Sequence, residues 1–288
     1  MLPSRFEYHR PESLEEAYQL LGQYGDDAKV LAGGQSLIPV MKLRLATPGH
    51  IVDISRLAMD EIAESGDTLT VGALARHRDL ERSDVIKAGY PVMATAAPLI
   101  SDPVVRNLGT IGGSLCHADP AGDWGSVMLA LQASVVIGSA RGERELPISE
   151  FLLDTFTTAL EPDEILTKVK VPKSSGSFGG TYLKLERKVG DFASVATAVY
   201  LSLSNGTIER AGIALTAVGT KNIPATDAEN SLAGAEPTED AFADAGRLAA
   251  EASSPIGDVR GSEAYKRHVV DVYVRRGLAR ALESARAA

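Results

Sequence analysis

Lys29-Val30-Leu31-Ala32-Gly33-Gly34-Gln35-Ser36-Leu37 places two adjacent glycines behind a short apolar run, and Asn107-Leu108-Gly109-Thr110-Ile111-Gly112-Gly113-Ser114-Leu115 repeats the arrangement. Adjacent glycines carry no Cβ to hold a ligand off the backbone. The exposed N–H groups of such a turn can converge on an anion. Hydroxyl donors accompany both segments: Ser36 in the first, Thr110 and Ser114 in the second. Two readings stay open on these residues alone. One is a pair of tight turns between strands, since glycine is a common turn residue. The other is a clamp around a ligand with more than one phosphate.

The chain has 288 residues, 44% of them hydrophobic, enough for a sizeable core and two or three domains. A net charge of −9 opposes binding to nucleic acid or to an anionic membrane, since both reward a basic face. Cys116 is the only cysteine, so there is no internal disulfide and no cysteine-ligated zinc or iron–sulfur site. Met1 to Pro11 is polar and proline-interrupted, unlike a secretory leader, and no run approaches the roughly 18 apolar residues of a membrane span. These features predict an intracellular, cytoplasmic protein.

Three segments follow from the pattern: 1–57, 58–176 and 177–288. In the first, Ser13-Leu14-Glu15-Glu16 reads as a capping box opening a helix with Leu14, Ala17, Leu20 and Leu21 on one stripe. Lys29 to Leu31 and Ile51 to Ile54 read as strands. In the second, Thr68 to Ala73, Ser134 to Gly138 and Ile165 to Val171 read as strands, with short helices between Arg76 and Ala97. Lys173-Ser174-Ser175-Gly176-Ser177 is a polar connector. In the third, Tyr182 to Lys188, Phe192 to Leu203 and Ala211 to Val218 predict a three-stranded antiparallel sheet, with a tight turn at Asn205-Gly206. Helices are expected over Glu239 to Ala252 and Ser262 to Ala285, the latter with Tyr265, Val269, Val272 and Leu278 as its apolar set. The class is α+β.

The usual nucleotide signatures are missing: no G-x-G-x-x-G follows the first strand, and no G-x-x-x-x-G-K-[ST] occurs anywhere. This opposes a Rossmann dehydrogenase and a P-loop ATPase. After the second glycine segment comes Leu115-Cys116-His117-Ala118-Asp119-Pro120-Ala121-Gly122-Asp123-Trp124. His117 and Asp119 lack a matching second ligand pair, so no metal site is expected there. Asp123 either accepts hydrogen bonds from a ligand's ribose or ring in a pocket that His117 also lines, or caps the helix starting near Gly122 together with Asp119. Cys116 reads as packing. His77 and His268 sit among charges and read as surface residues. Glu186-Arg187-Lys188 reads as a solvated strand end, while Lys184 alternates with apolar neighbours and is expected to point into a cleft.

Four ordered motifs resemble one family: Ala32-Gly33-Gly34-Gln35-Ser36, Thr110-Ile111-Gly112-Gly113-Ser114, Ala118-Asp119-Pro120-Ala121-Gly122-Asp123 and Arg187-Lys188-Val189-Gly190-Asp191-Phe192-Ala193. The chain is similar to the FAD-binding medium subunit of molybdenum hydroxylases, the carbon monoxide dehydrogenase and xanthine dehydrogenase family, which also includes bacterial N-heterocycle dehydrogenases. The resemblance spans nearly the whole chain, including Gly261 to Arg267. Ser114 departs from the asparagine of many relatives but keeps a hydrogen-bonding side chain.

The resemblance implies a fold of two α+β subdomains of the vanillyl-alcohol-oxidase (PCMH) type, 1–57 and 58–176, holding FAD between them. A C-terminal domain, 177–288, would follow. It implies that Lys29, Val30, Leu31, Ala32, Gly33, Gly34, Gln35, Ser36 and Leu37 wrap the pyrophosphate, and that Thr110, Ile111, Gly112, Gly113 and Ser114 hold its other side. His117 and Asp123 match cofactor contacts, and Ile100, Leu166 and Lys184 fall near the isoalloxazine. It implies electron relay. Molybdopterin would sit on a large partner subunit and two-iron two-sulfur clusters on a small one, in a dimer of heterotrimers. Electrons would pass through FAD on this chain to an external acceptor, with no catalytic side chain required and no metal held here. A free-standing flavin oxidoreductase of the same fold is the alternative, and a non-catalytic assembly module a third reading that intact glycines oppose. The substrate, the acceptor and any peripheral membrane association are left open.

Overall fold

The computed structural model describes residues 2–287. Its first part is a small parallel sheet in the order Glu7–His9, His50–Asp53, Ala28–Leu31. Parallel neighbours need a crossover. The Leu14–Tyr24 helix supplies one, packing Ala17, Tyr18 and Leu21 over Val52 and Ile54. Its start is capped much as expected: Ser13 Oγ accepts the Glu16 N–H at 3.2 Å. The Glu16 carboxylate reaches one residue further back than the box requires and accepts the Glu12 N–H at 2.8 Å.

The second part is a five-stranded antiparallel sheet in the order Ile62–Ser65, Thr68–Gly72, Ile165–Pro172, Ser134–Ser139, Gly142–Pro147. Ile165–Pro172 is its central strand, and between Gly72 and Ser134 the chain leaves the sheet for about sixty residues. That excursion carries the helices His77–Arg82, Asp84–Gly89, Pro91–Ala96, Ile111–His117 and Asp123–Ala130. The core beneath them holds Trp124, Met93, Met128, Leu115 and Phe151, all at most 1% exposed.

The third sheet runs Ser177–Leu185, Val195–Ser204, Thr207–Thr216 as a meander, and a two-residue strand, Ile223–Pro224, makes it four-stranded rather than three. Asn205 and Gly206 turn with φ of 51° and 86°, the left-handed pair that matches the twist of a two-residue hairpin. Both faces of this sheet are covered. Ala196, Ala198 and Tyr200 join the core of the second part, while Val195, Val199 and Leu201 join a separate core under the C-terminal helices. Period-two alternation thus sends successive residues of the strand to opposite cores.

Those helices are Thr226–Leu232, Glu239–Ala252 and Glu263–Ala287. The last one buries half of the expected set, Val269 and Leu278, together with Val270, Val274 and Ala281, whereas Tyr265 is 47% exposed and Val272 only half-buried. Lys266 also occupies a buried position. Its ammonium escapes to the Ile256 carbonyl and the Asp258 carboxylate, both at 2.9 Å, so a charged residue sits where apolar counting puts none. The helix lies directly on Ser177–Leu185, where the Ala281 carbonyl occupies the space a side chain on Gly179 would need.

Candidate functional site

One cavity of about 710 Å³ opens where the three parts meet, within the usual range of ligand clefts. One wall is Ala32 to Leu37. The opposite wall comes from Thr110, Gly112, Gly113, Ser114 and His117, and the floor from Ile100, Asp123, Leu166 and Lys184. Lys29 and Val30 also border it. Leu31 and Ile111 do not. Ile111 is fully buried in the core below.

The two glycine segments differ in kind. The first is a true loop, and the amides of Gly33, Gly34, Gln35 and Ser36 find no acceptor among the described residues. Gly34 takes φ of 71°, which a side chain would strain. The second is the opening turn of the Ile111–His117 helix, capped by Thr110, and not a turn between strands. Its amides are committed: Ile111 N–H to the Ala75 carbonyl at 3.0 Å, Gly112 N–H to the Ala73 carbonyl at 2.9 Å, Gly113 N–H to Thr110 Oγ1 at 3.1 Å and Ser114 N–H to the Thr110 carbonyl at 3.0 Å. What this wall offers a ligand is therefore hydroxyls, while the first offers backbone N–H groups. The segments also touch. A Cβ on Gly33 would strike the Leu108 carbonyl and lie 2.8 Å from the Gly109 Cα. Gly33 is small because another backbone is there.

His77 is the residue that the sequence reading misplaced. It is 5% exposed and not at the surface. Its N–H donates to the Gly109 carbonyl at 3.0 Å, and its Nδ1 accepts the Trp124 indole N–H at 3.0 Å. The acceptor at Nδ1 puts the ring proton on Nε2, beside Gly109, which has no side chain to obstruct it. Burial, with the nearby Arg106 guanidinium, pulls its pKa down to about 4, so the ring is neutral. Its charged neighbours Arg76 and Arg78 misled the reading. The i, i+3 pairing with buried Leu80 on the His77–Arg82 helix was the available signal.

Asp123 is the first residue of the Asp123–Ala130 helix, whose N-cap is Gly122, so it does not cap the helix with its side chain. Asp119 instead accepts the Ala121 N–H at 2.9 Å in a local turn. Both Asp123 carboxylate oxygens are taken: Oδ1 accepts from the Tyr182 hydroxyl at 2.7 Å and Oδ2 from the Lys184 ammonium at 3.0 Å. Lys184 also donates to the Leu99 carbonyl at 3.0 Å, and Glu186 lies 3.8 Å away. Glu186 is therefore half-buried against Lys184 and no solvated strand end. Thr216 and Ser126 continue the network behind Tyr182. Burial raises the Asp123 carboxyl, against the pull of Lys184 and Tyr182, and burial with the adjacent Asp123 pushes the Tyr182 phenol far above its ordinary value. Tyr182 and Lys184 are two apart on one strand, which is why they face the same way.

At the rim, His117 is half-buried 5.0 Å from the Phe156 ring, its pKa lowered by burial against the pull of Asp119 upward. Cys116 borders the cavity, and burial pushes its thiol up to about 12, which keeps it protonated and unreactive. Arg106 donates to the Ile100 and Ser101 carbonyls, and Arg260 to the Phe192 carbonyl at 2.7 Å and to Asp191 at 3.2 Å. These two guanidiniums hold the loops that close the floor. Phe156 and Phe192 are other cavity residues that the motif reading did not place in the site.

Free backbone donors at one end, hydroxyls opposite and a part-apolar floor define a protein that holds a phosphate-bearing cofactor in a cleft between α+β parts. Residues 4–174 match the FAD binding domain in molybdopterin dehydrogenase, and residues 180–281 the CO dehydrogenase flavoprotein C-terminal domain. The carbon monoxide dehydrogenase medium chain of Hydrogenophaga pseudoflava is 40% identical over 279 residues, covering 96% of this chain and 97% of that one. The glyceraldehyde dehydrogenase medium chain of Sulfolobus acidocaldarius is 37% identical, covering 94% and 96%. A solved structure of the Hydrogenophaga pseudoflava enzyme, lacking the Mo-pyranopterin moiety, superposes with a TM-score of 0.96 at 42% identity over 99% of both chains. The chain belongs to the FAD-binding medium subunits of the molybdenum hydroxylases. It is an oxidoreductase subunit whose cofactor is FAD, with molybdopterin and iron–sulfur groups carried by other subunits of the family's complexes.

Proposed function

We propose that the chain relays electrons between an iron–sulfur partner subunit and an external acceptor. The observation that carries this reading is the run of unsatisfied amides from Gly33 to Ser36, opening onto a cavity of about 710 Å³. Bound FAD supplies the redox chemistry. The chain supplies binding and orientation. Lys29 to Leu37 wrap the pyrophosphate, the amides of 33–36 donating to it. Thr110 and Ser114 add hydroxyl donors from the far side, with Gly112 and Gly113 leaving room and Ile111 packing beneath. His117 borders the cofactor. Ile100, Leu166, Asp123 and Lys184 support the ring region, where the Asp123–Lys184 pair is held in place by the Tyr182 hydroxyl and the Leu99 carbonyl. Residues 1–57 and 58–176 act as the two halves of the FAD site and 177–288 as the C-terminal domain.

The partners in this reading are a large molybdopterin subunit and a small iron–sulfur subunit, in paired heterotrimers in the cytoplasm. Among the described residues no helix is long and apolar enough to cross a membrane. Val189 and Val259, 95% and 90% exposed, are the side chains this reading assigns to partner contact; they adjoin in sequence Gly190, which borders the cavity, and Arg260, which donates to the Phe192 carbonyl. The test is titration of the apo chain with FAD, then assembly with both partner subunits and delivery of substrate to the complex. Expected are flavin absorption at one FAD per chain, and flavin bleaching only in the assembled complex. A chain that fails to take up FAD overturns the reading. Substrate turnover by the isolated flavoprotein would instead make it a free-standing oxidoreductase.

A further inference from the structure

A second cluster of chemistry-bearing side chains lies away from the FAD cleft, where the N-terminal strand meets its neighbour. Glu7 pairs opposite His50 in the parallel ladder, and His9, two residues on, shares the face of Glu7. His50 Nδ1 lies 3.0 Å from His9 Nε2 and 3.7 Å from Glu7 Oε2. The three ligand atoms are all within 4.8 Å of one another. The rings are held in place by stacking: Tyr24 lies 3.6 Å from His50, centroid to centroid, at 11°, and 5.2 Å from His9. On the other side of the His50 ring, Nε2 faces Asp27 Oδ2 at 4.0 Å, and Asp27 Oδ1 is anchored by the Gly49 N–H at 2.8 Å.

We propose that Glu7, His9 and His50 form a binding site for a first-row transition dication of the zinc type, with the Asp27 carboxylate 4.0 Å behind His50 adding negative charge. Two imidazoles and a carboxylate are a ligand set that zinc takes when solvent fills its fourth position. Ligands at about 2.0 Å in a tetrahedron are about 3.3 Å apart, and the observed 3.0 and 3.7 Å straddle that edge. Closing these atoms onto one ion converts the imidazole–imidazole hydrogen bond into two ligand bonds, the bridging proton moving to the far nitrogen of its ring. The stacked rings lose little freedom on binding, and two carboxylates offset the ion's charge. A bound ion would join the first strand, the His50–Asp53 strand and the end of the Leu14–Tyr24 helix, which otherwise meet through short three- and four-residue strands.

The test uses the full chain loaded with FAD. Calorimetric titration with Zn²⁺ should give one site per chain, and Co²⁺ at the same site should develop visible ligand-field bands. His9→Gln and Glu7→Gln should each weaken Zn²⁺ binding at least about tenfold, and Asp27→Asn less than either. The ion should raise the melting temperature of the wild type but not of the His9→Gln/Glu7→Gln double variant. Flavin content reports that each variant is folded. If His9→Gln loses flavin, Glu7→Gln decides, because its side chain projects into solvent and carries no fold contact beyond this cluster. No stoichiometric Zn²⁺ binding up to about millimolar concentration, or an affinity unchanged in Glu7→Gln, overturns the proposal.

Discussion

His77 ties the protein's stability to pH in a way that can be worked out. Burial lowers its pKa from 6.5 to about 4 in the folded chain. Once unfolded, the ring regains the ordinary value, so the unfolded state binds more protons between those limits. Stability is then lost as pH falls from about 6.5 towards about 4, and is intact above that window. The full shift corresponds to about 3 kcal/mol, and integration between about pH 7 and about pH 5 gives close to 2 kcal/mol. The ring is 5% exposed, so solvent screening takes little from this figure. The assay is urea denaturation of the apo chain, followed by the fluorescence of Trp124. That residue is the only tryptophan in the chain and donates its indole N–H to His77. His77→Gln keeps an acceptor for the indole but cannot titrate. Wild type should lose about 2 kcal/mol more than His77→Gln over that pH step, with His117→Gln as the control for the other histidine lowered by burial. Equal losses in wild type and His77→Gln would refute the reasoning.

Gly33→Val should force the two glycine segments apart, because its Cβ meets the Leu108 carbonyl. FAD affinity should fall at least about tenfold, or 1.4 kcal/mol, by fluorescence titration, and unchanged affinity would mean the segments can separate freely. Lys184→Met leaves the Asp123 carboxylate 7% exposed with Tyr182 as its remaining donor. Equilibrium denaturation should show a loss of about 3–5 kcal/mol, largely recovered in Asp123→Asn/Lys184→Met. Additive losses in the double variant would deny the pairing. Val189→Asp with Val259→Asp should weaken assembly with the partner subunits in gel filtration while leaving flavin content unchanged, and undiminished assembly would place the docking surface elsewhere.

Much of the fold was legible in local pattern. The Ser13 cap, the Asn205-Gly206 turn and the Glu239–Ala252 helix rest on interactions within a few residues of one another, so sequence spacing carries them. The short strands Ile62–Ser65 and Gly142–Pro147 were not read, because both are edge strands, mostly exposed and without a sustained apolar alternation. The Glu263–Ala287 helix buries Val269 and Leu278 as expected but not Tyr265 and Val272, because contacts far apart in sequence, such as Gly277 against Val199, decide which side packs inward. In the site, the motifs located the residues around the cleft, but not which backbone donors are free. That depends on Ala73 and Ala75 presenting carbonyls to the second glycine segment.

The sequence, through four ordered motifs that resemble one family, pointed to the family and its cofactor, and those motifs contain many of the residues that line the cleft. Tertiary structure alone decided what those residues do. It divided the glycine pair into a donor loop and a committed helix turn. It moved His77 inside to hold Gly109, and it paired Asp123 with Lys184 across 61 positions. It also brought Glu7, His9 and His50 onto one face. The physical reason is common to all four: hydrogen-bond satisfaction and burial are set by neighbours distant along the chain, and no local pattern encodes which neighbour arrives.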